Sequence, residues 1–184
     1  SMGLSTGDIN NDGNIDIYVA SMYSKAGSRV IGNLRPDAYD GEVMAKLRRM
    51  VAGSQLYRNL GSDKFEPIGK AVDVVSVGWA YGPTLADLDN DGDMDVVMNN
   101  LLETAGVYQN QAKTPRVLVR LAKRALHSGI GASIVITQNG VEQRQEIICA
   151  GRYLSSDQTA RMFGVLDEPL DITIAWPSGV TQTI

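Results

Sequence analysis

The sequence predicts a mainly β protein. A strand-and-loop unit with one helical insertion near 38–52 fills residues 1–115, and a small all-β module fills 116–184. Three observations predict this. An acidic loop motif occurs twice, and each copy runs into a strand-like apolar stretch. Short alternating runs bounded by Gly, Pro and Asn fill the second part. A single stretch carries helical periodicity.

Composition bounds the reading. The chain has 184 residues, 43% of them apolar and 21% charged, enough for one or two domains with a real core and against disorder. A net charge of -4 excludes a strongly basic nucleic-acid or membrane-surface binder. The lone cysteine, Cys149, excludes an internal disulfide and a cysteine-rich zinc site. No apolar run approaches the ~18 residues of a membrane-spanning helix, so no membrane insertion is expected.

The elements follow in order. Residues 17–23 read as a strand. Residues 24–37, with Gly27, Gly32 and Pro36, read as a loop. Over 38–52, Val43, Met44, Leu47, Met50 and Val51 share one helix face. Asp37 or Asp40 can cap its start and Gly53 can stop it. Gln55–Asn59 and Lys64–Pro67 flank Gly61-Ser62-Asp63, a hairpin signal. The stretch Gln111–Pro115 marks the boundary between the two parts. Beyond it Val117, Val119 and Leu121 alternate. Ala132–Thr137 and Gln145–Cys149 flank Asn139-Gly140, a strong hairpin turn. Asp171–Trp176 is a last strand, stopped by Pro177-Ser178-Gly179, so the module holds roughly five strands.

Acidity is local. Residues 1–115 carry 15 acidic and 10 basic side chains, and 8 of those acids lie in the two motif copies. The copies are Asp8–Asp16 and Asp87–Asp95, both reading D-x-[DN]-x-D-G-x-x-D, with starts 79 residues apart. Carboxylates this close repel one another unless a cation joins them. Calcium accepts 6–8 oxygen ligands at about 2.3–2.6 Å. Asp8, Asn10, Asp12 and Asp16 are expected side-chain ligands in the first loop, with the Asn14 carbonyl. Asp87, Asp89, Asp91 and Asp95 are expected in the second, with the Asp93 carbonyl and the Asp93 side chain pointing outward. Four carboxylates against three make the second the tighter site. Two calcium ions would bring the formal charge from -4 to 0. The loops are not EF-hands, because the twelfth position is Val19 in one and Met98 in the other, where a bidentate glutamate is needed. Metal-free Asp-Asn-Gly turns are common, but two copies with one spacing and one strand context argue against that here.

At these residues the chain resembles the FG-GAP/VCBS repeats of integrin-α-like β-propellers, over about residues 3–111. Leu56-Tyr57-Arg58-Asn59-Leu60-Gly61-Ser62-Asp63-Lys64-Phe65 is similar to that family's hairpin, and Asn10 departs from its calcium loop, where an acid is usual. The second part resembles the ASPIC/UnbV domain of cartilage-acidic-protein-like chains. Val117–Leu121, Gly129-Ile130-Gly131-Ala132, Gly151-Arg152-Tyr153-Leu154-Ser155-Ser156 and Trp176-Pro177-Ser178-Gly179 carry the resemblance, with Ser128 in place of the usual acid. The resemblance implies partial β-propeller-like repeats, about two blades, where a closed propeller has about 4–8. It also implies a C-terminal piece of a longer exported protein (periplasm, cell surface or outside), with open edge strands able to self-associate. The implied role is adhesion or protein interaction, with a protein or glycan partner.

An enzyme is not expected. His127 is the single histidine, which leaves no Ser-His-Asp reading and no paired-histidine zinc site. Cys149, after Ile147-Ile148, reads as a buried structural thiol. Arg120, Lys123, Arg124 and His127 form a weakly basic patch that reads first as solvated surface, with contact to an acidic glycan or partner as the sharper alternative. Trp79, Tyr81 and Trp176 read as core or hinge packing, and exposure of such aromatics on a propeller rim would point instead to a sugar-stacking platform. The expected function is a calcium-binding, non-catalytic interaction module. The alternative is a non-catalytic accessory domain of a secreted enzyme, binding glycan.

Overall fold

The computed structural model describes residues 3–23, 25–122 and 129–184, and within them it is mainly β, with thirteen strands and two helices. Strands β1 (Gly3–Gly7), β2 (Asp16–Ala20), β3 (Gln55–Asn59) and β4 (Phe65–Pro67) form an antiparallel meander in that spatial order. Strands β5 (Ala80–Ala86), β6 (Asp95–Asn100) and β7 (Gly106–Tyr108) form a second, three-stranded meander. The period-2 pattern of β2 buries Asp16, Tyr18 and Ala20 and leaves Ile17 and Val19 half-buried. β1 and β2 pack against β5, and Tyr18, Leu56, Val77, Leu85, Val96 and Met98 share the core between the meanders. The buried Tyr18 hydroxyl donates to the Val74 carbonyl at 2.9 Å, so its burial leaves no orphan donor.

Two helices join β2 to β3. The predicted helix is α2 (Gly41–Met50). Its N-cap is Asp40, whose carboxylate accepts the Glu42 and Val43 N–H groups at 2.9 Å. A further helix, α1 (Lys25–Gly32), replaces the loop expected over 24–37. Gly27 and Gly32 argue against it locally, at about 1 kcal/mol each relative to alanine. Docking against α2 outweighs them: the helices touch, and Ser28 Oγ donates to the Val51 carbonyl beyond α2.

The second part holds six strands among the described residues: β8 (Arg116–Val119), β9 (Ser133–Gln138), β10 (Val141–Glu146), β11 (Arg161–Gly164), β12 (Asp171–Ala175) and β13 (Thr181–Thr183). The main sheet runs β10-β9-β12-β13. Asn139 and Gly140 take φ of 52° and 77°, the left-handed pair of a two-residue hairpin. The second arm therefore starts at Val141, immediately after the turn, and not at Gln145 as expected. Cys149 lies past the end of β10 and is exposed, against the expectation of a buried thiol. Ile147, two residues earlier, fills the core instead, with Val119, Ile134, Ile136 and Phe163.

The remaining pair, β8 with β11, forms a ribbon between the two cores. Leu118 and Met162 are cross-strand partners and join the first core, whereas Val117, Val119 and Phe163 join the second. Burial on both faces explains why β11 (Arg-Met-Phe-Gly) is buried at every position. Gln143 and Gln145 of β10 reach across and donate to the Gly164 and Met162 carbonyls at 2.6 and 2.5 Å. Gly164 closes the contact with the first acidic loop. A Cβ there would lie 2.0 Å from the Asn11 carbonyl oxygen, which is backbone and cannot yield like a flexible side chain. Gly164→Ala is expected to destabilise the protein by about 2 kcal/mol through overpacking, read as a lower denaturation midpoint with an unchanged m-value.

Candidate metal centre

Both acidic loops are hairpin loops at the same place in their meanders. The first joins β1 to β2 and the second joins β5 to β6. Their backbones match. Asn11 and Asn90 take φ of 56° and 61°, and Gly13 and Gly92 take 87° and 91°. Glycine tolerates this left-handed region, and asparagine does so better than most residues.

The last acid of each loop ties it to the end of the third strand of its meander. Asp16 accepts the Ile9 N–H at 2.9 Å and the Asn59 N–H at 2.8 Å. Asp95 accepts the Leu88 and Asn110 N–H groups, both at 2.8 Å. Asn59 and Asn110 close the frame by donating to the Ile15 and Met94 carbonyls. Asn110 was not singled out from the sequence, yet Tyr57-Arg58-Asn59 and Tyr108-Gln109-Asn110 are a second repeated signal. The helical insertion hides it: Asn59 lies 43 residues past its acid and Asn110 only 15. Asn110→Ala removes bonds to the Ile9 and Met94 carbonyls and to the Ala112 N–H. A loss of about 2 kcal/mol is expected from a chemical melt.

The first acids differ. Asp8 accepts the Asp12 and Gly13 N–H groups at 3.1 and 2.8 Å. Asp12 is held by the Asn10 amide at 2.9 Å and by the backbone and side chain of Asn14 at 2.8 and 3.0 Å. Burial pushes the Asp8 carboxyl up to about 6, opposed by those N–H groups, and burial also raises Asp16. The second loop is open. Asp87 is only 7% exposed and neither of its carboxylate oxygens has a hydrogen-bond partner. Oxygens of Asp87, Asp89 and Asp95 lie within 4.8 Å of one another, and this is the one such cluster among the described residues. Three carboxylates this close, one of them buried and unpartnered, could hold a metal ion, because each negative charge raises the cost of the next.

Asp91 and Asp93 lie outside that cluster. Arg116 Nη2 stands 3.3 Å from the Asp91 carboxylate and donates to the Asp91 carbonyl at 2.7 Å. The Asp93 side chain points inward, not outward as expected. It accepts the Ala112 N–H at 3.0 Å, which draws the segment after β7 under the loop. Burial pushes Asp93 up to about 6, the Asp91 charge adds to this, and Arg116 opposes it. Of the predicted basic patch, Arg120 is exposed, and Lys123, Arg124 and His127 lie outside the described residues. No described helix is long and apolar enough to cross a membrane.

Residues 46–98, from α2 through β3 and β4 to the second acidic loop and β6, match the family model of the FG-GAP-like repeat. Residues 122–184 match that of ASPIC and UnbV. The chain carries an FG-GAP-like repeat followed by an ASPIC/UnbV domain. No curated protein matches it. The FG-GAP-like match runs from the outer strands of one meander into the first hairpin of the next, so the sequence repeat is offset from the structural one.

The stretch Gly151–Ser156, within the ASPIC/UnbV match, docks on strands β1 and β5 of the first part. Arg152 pairs with Asp157, with Nε at 2.9 Å, and reaches Thr6 Oγ1 of β1 at 3.4 Å. Asp157 accepts the Leu85 N–H of β5 at 3.0 Å, and the Gln158 N–H donates to the Leu85 carbonyl. Both partners of the ion pair are buried.

Proposed function

We propose that this protein is a calcium-stabilised, non-catalytic interaction module that works outside the cytoplasm, in adhesion or protein binding. The observation that carries the reading is Asp87, a buried carboxylate with no partner, beside Asp89 and Asp95. The donors are all hard oxygens, which suits calcium and not zinc or copper. Asp87, Asp89 and Asp95 would hold the ion in the second loop. Asp8, Asn10, Asp12 and Asp16 would hold one in the first, after Asp8 gives up its backbone bonds. Calcium supplies charge neutralisation there, which favours the folded loop. The FG-GAP-like and ASPIC/UnbV matches support an interaction role and, through the exported proteins in which FG-GAP repeats are typical, export.

Calorimetric titration of metal-stripped protein with calcium tests the reading. Two binding events are expected, with the tighter one abolished in Asp87→Asn. Heat no larger than that of dilution would sink it.

A further inference from the structure

Trp79, expected in the core, is 45% exposed and borders an apolar hollow with Tyr81 and Tyr153. A second hollow, of about 250 Å³, holds charge. Its walls come from β1, the first acidic loop and β5 in the first part, and from β10 and β11 in the second. Arg152 and Arg161 line it, together with the apolar side chains of Ile15, Leu85, Met94, Ile148 and Met162.

Arg161 stands out. It is only 7% exposed, yet every acceptor it finds is a neutral carbonyl. Its Nε donates to the Glu146 carbonyl at 2.9 Å, and its Nη1 donates to the Gln158 and Ala160 carbonyls at 2.6 and 2.9 Å. Among the described residues Nη2 has no acceptor, and no carboxylate forms an ion pair with Arg161. Buried charges are paired as a rule, because taking an ion out of water is costly.

The acids around the hollow are engaged elsewhere. Asp157 is held by Arg152 and by the Leu85 N–H. Asp8 accepts two N–H groups of its own loop. Glu146 is exposed, and so is Arg144, of opposite charge and two residues earlier on β10. With Asp157 set against Arg152, the Arg161 charge is left over.

We propose that this hollow binds a small organic carboxylate, with its head on Arg161 Nη2 and its body against the apolar wall. A carboxylate supplies the charge that Arg161 lacks and accepts a charge-assisted hydrogen bond. The apolar wall favours an organic acid over inorganic sulfate or phosphate, whose every face needs a polar partner. The volume lies just below the range of drug-sized sites, which suits a ligand of a few carbon atoms. The proposal does not depend on calcium in either loop.

NMR titration of the full chain with butyrate tests it, with butyramide as the neutral counterpart and sulfate as an anion without an apolar body. Butyrate should bind saturably and roughly 10-fold more tightly than either, as for a hydrogen bond to a charged group. Arg161→Gln should abolish the preference for butyrate over butyramide. That change also strips three backbone carbonyls of their donor, so a second pair of variants separates binding from folding. Ile148 is 37% exposed, and a charge placed there need not be buried. Ile148→Lys should tighten butyrate binding and Ile148→Glu should weaken it, each by roughly 2–3-fold, as for a charge acting through a high-dielectric surface. Both variants should melt close to the unsubstituted chain. Equal binding of butyrate and butyramide overturns the proposal, as does the absence of saturable butyrate binding. Sulfate binding as tight as butyrate overturns it too, by making the hollow a plain anion site. So do Ile148 variants that shift butyrate affinity in the same direction.

Discussion

Millimolar calcium should raise the melting temperature of the metal-stripped protein by roughly 10 °C over that in excess chelator. A ligand at a thousandfold excess over its dissociation constant stabilises by about 4 kcal/mol. For a chain of this size each kcal/mol moves the midpoint by about 2–4 °C. Asp87→Asn should melt higher than the unsubstituted chain in chelator, because it removes a buried unpaired charge, and should lose most of the calcium response. A melting temperature indifferent to calcium would make the loops ordinary turns. The effect has a defined pH dependence. Burial holds Asp8 and Asp93 near 6 against an ordinary value of 3.8. Each therefore binds its proton more tightly folded than unfolded. Their contribution to metal-free stability is complete below pH 3.8 and is lost as pH rises through about 6. Calcium needs the ionised carboxylates. The rise it causes should be larger at pH 7 than at pH 5, and calorimetric scans at the two values, with and without calcium, measure the difference.

Asp157→Ala should be the most damaging single substitution at the junction of the two parts. It leaves the Arg152 guanidinium buried and unpaired and strips the Leu85 N–H of its acceptor. Removing one member of a buried ion pair costs about 3–5 kcal/mol, or roughly 10 °C here. Adding Arg152→Met should recover much of the loss, because the uncompensated charge goes with it. Calcium affinity at the second loop should stay the same, since neither residue touches it. A double variant no better than Asp157→Ala alone would show that the Leu85 bond, not the charge, is what matters.

The hairpins were legible because their signals are local. Asn139-Gly140 and Gly61-Ser62-Asp63 adopt left-handed turns that few other residues accept, and both hairpins form there. The α2 cap at Asp40 was legible for the same reason. The helix α1 was not, because Gly27 and Gly32 argue against it locally and its contact with α2 cannot be read from its own residues. The acidic loops were found from spacing, but spacing could not reveal that Asp8 bonds its own backbone while Asp87 bonds nothing. The neighbours of the two loops also differ, and they come from distant sequence: Gln143 and Gly164 of the second part lie beside the first, and Arg116 lies beside Asp91 in the second. Trp79 and Cys149 went wrong because a hydrophobic side chain in a β-rich sequence reads as core, whereas burial is decided by neighbours distant in sequence.

The shared ribbon makes the two sequence families mechanically inseparable. The ASPIC/UnbV match starts at residue 122, after β8 has ended, although β8 supplies the strand that pairs with β11. A boundary of homology is thus not a boundary of cooperativity. Met162 lies within the ASPIC/UnbV match, yet with its β8 partner Leu118 it packs in the core between the meanders. A force or ligand that displaces the C-terminal module must also open the core between the meanders, where Tyr18 and Leu85 lie.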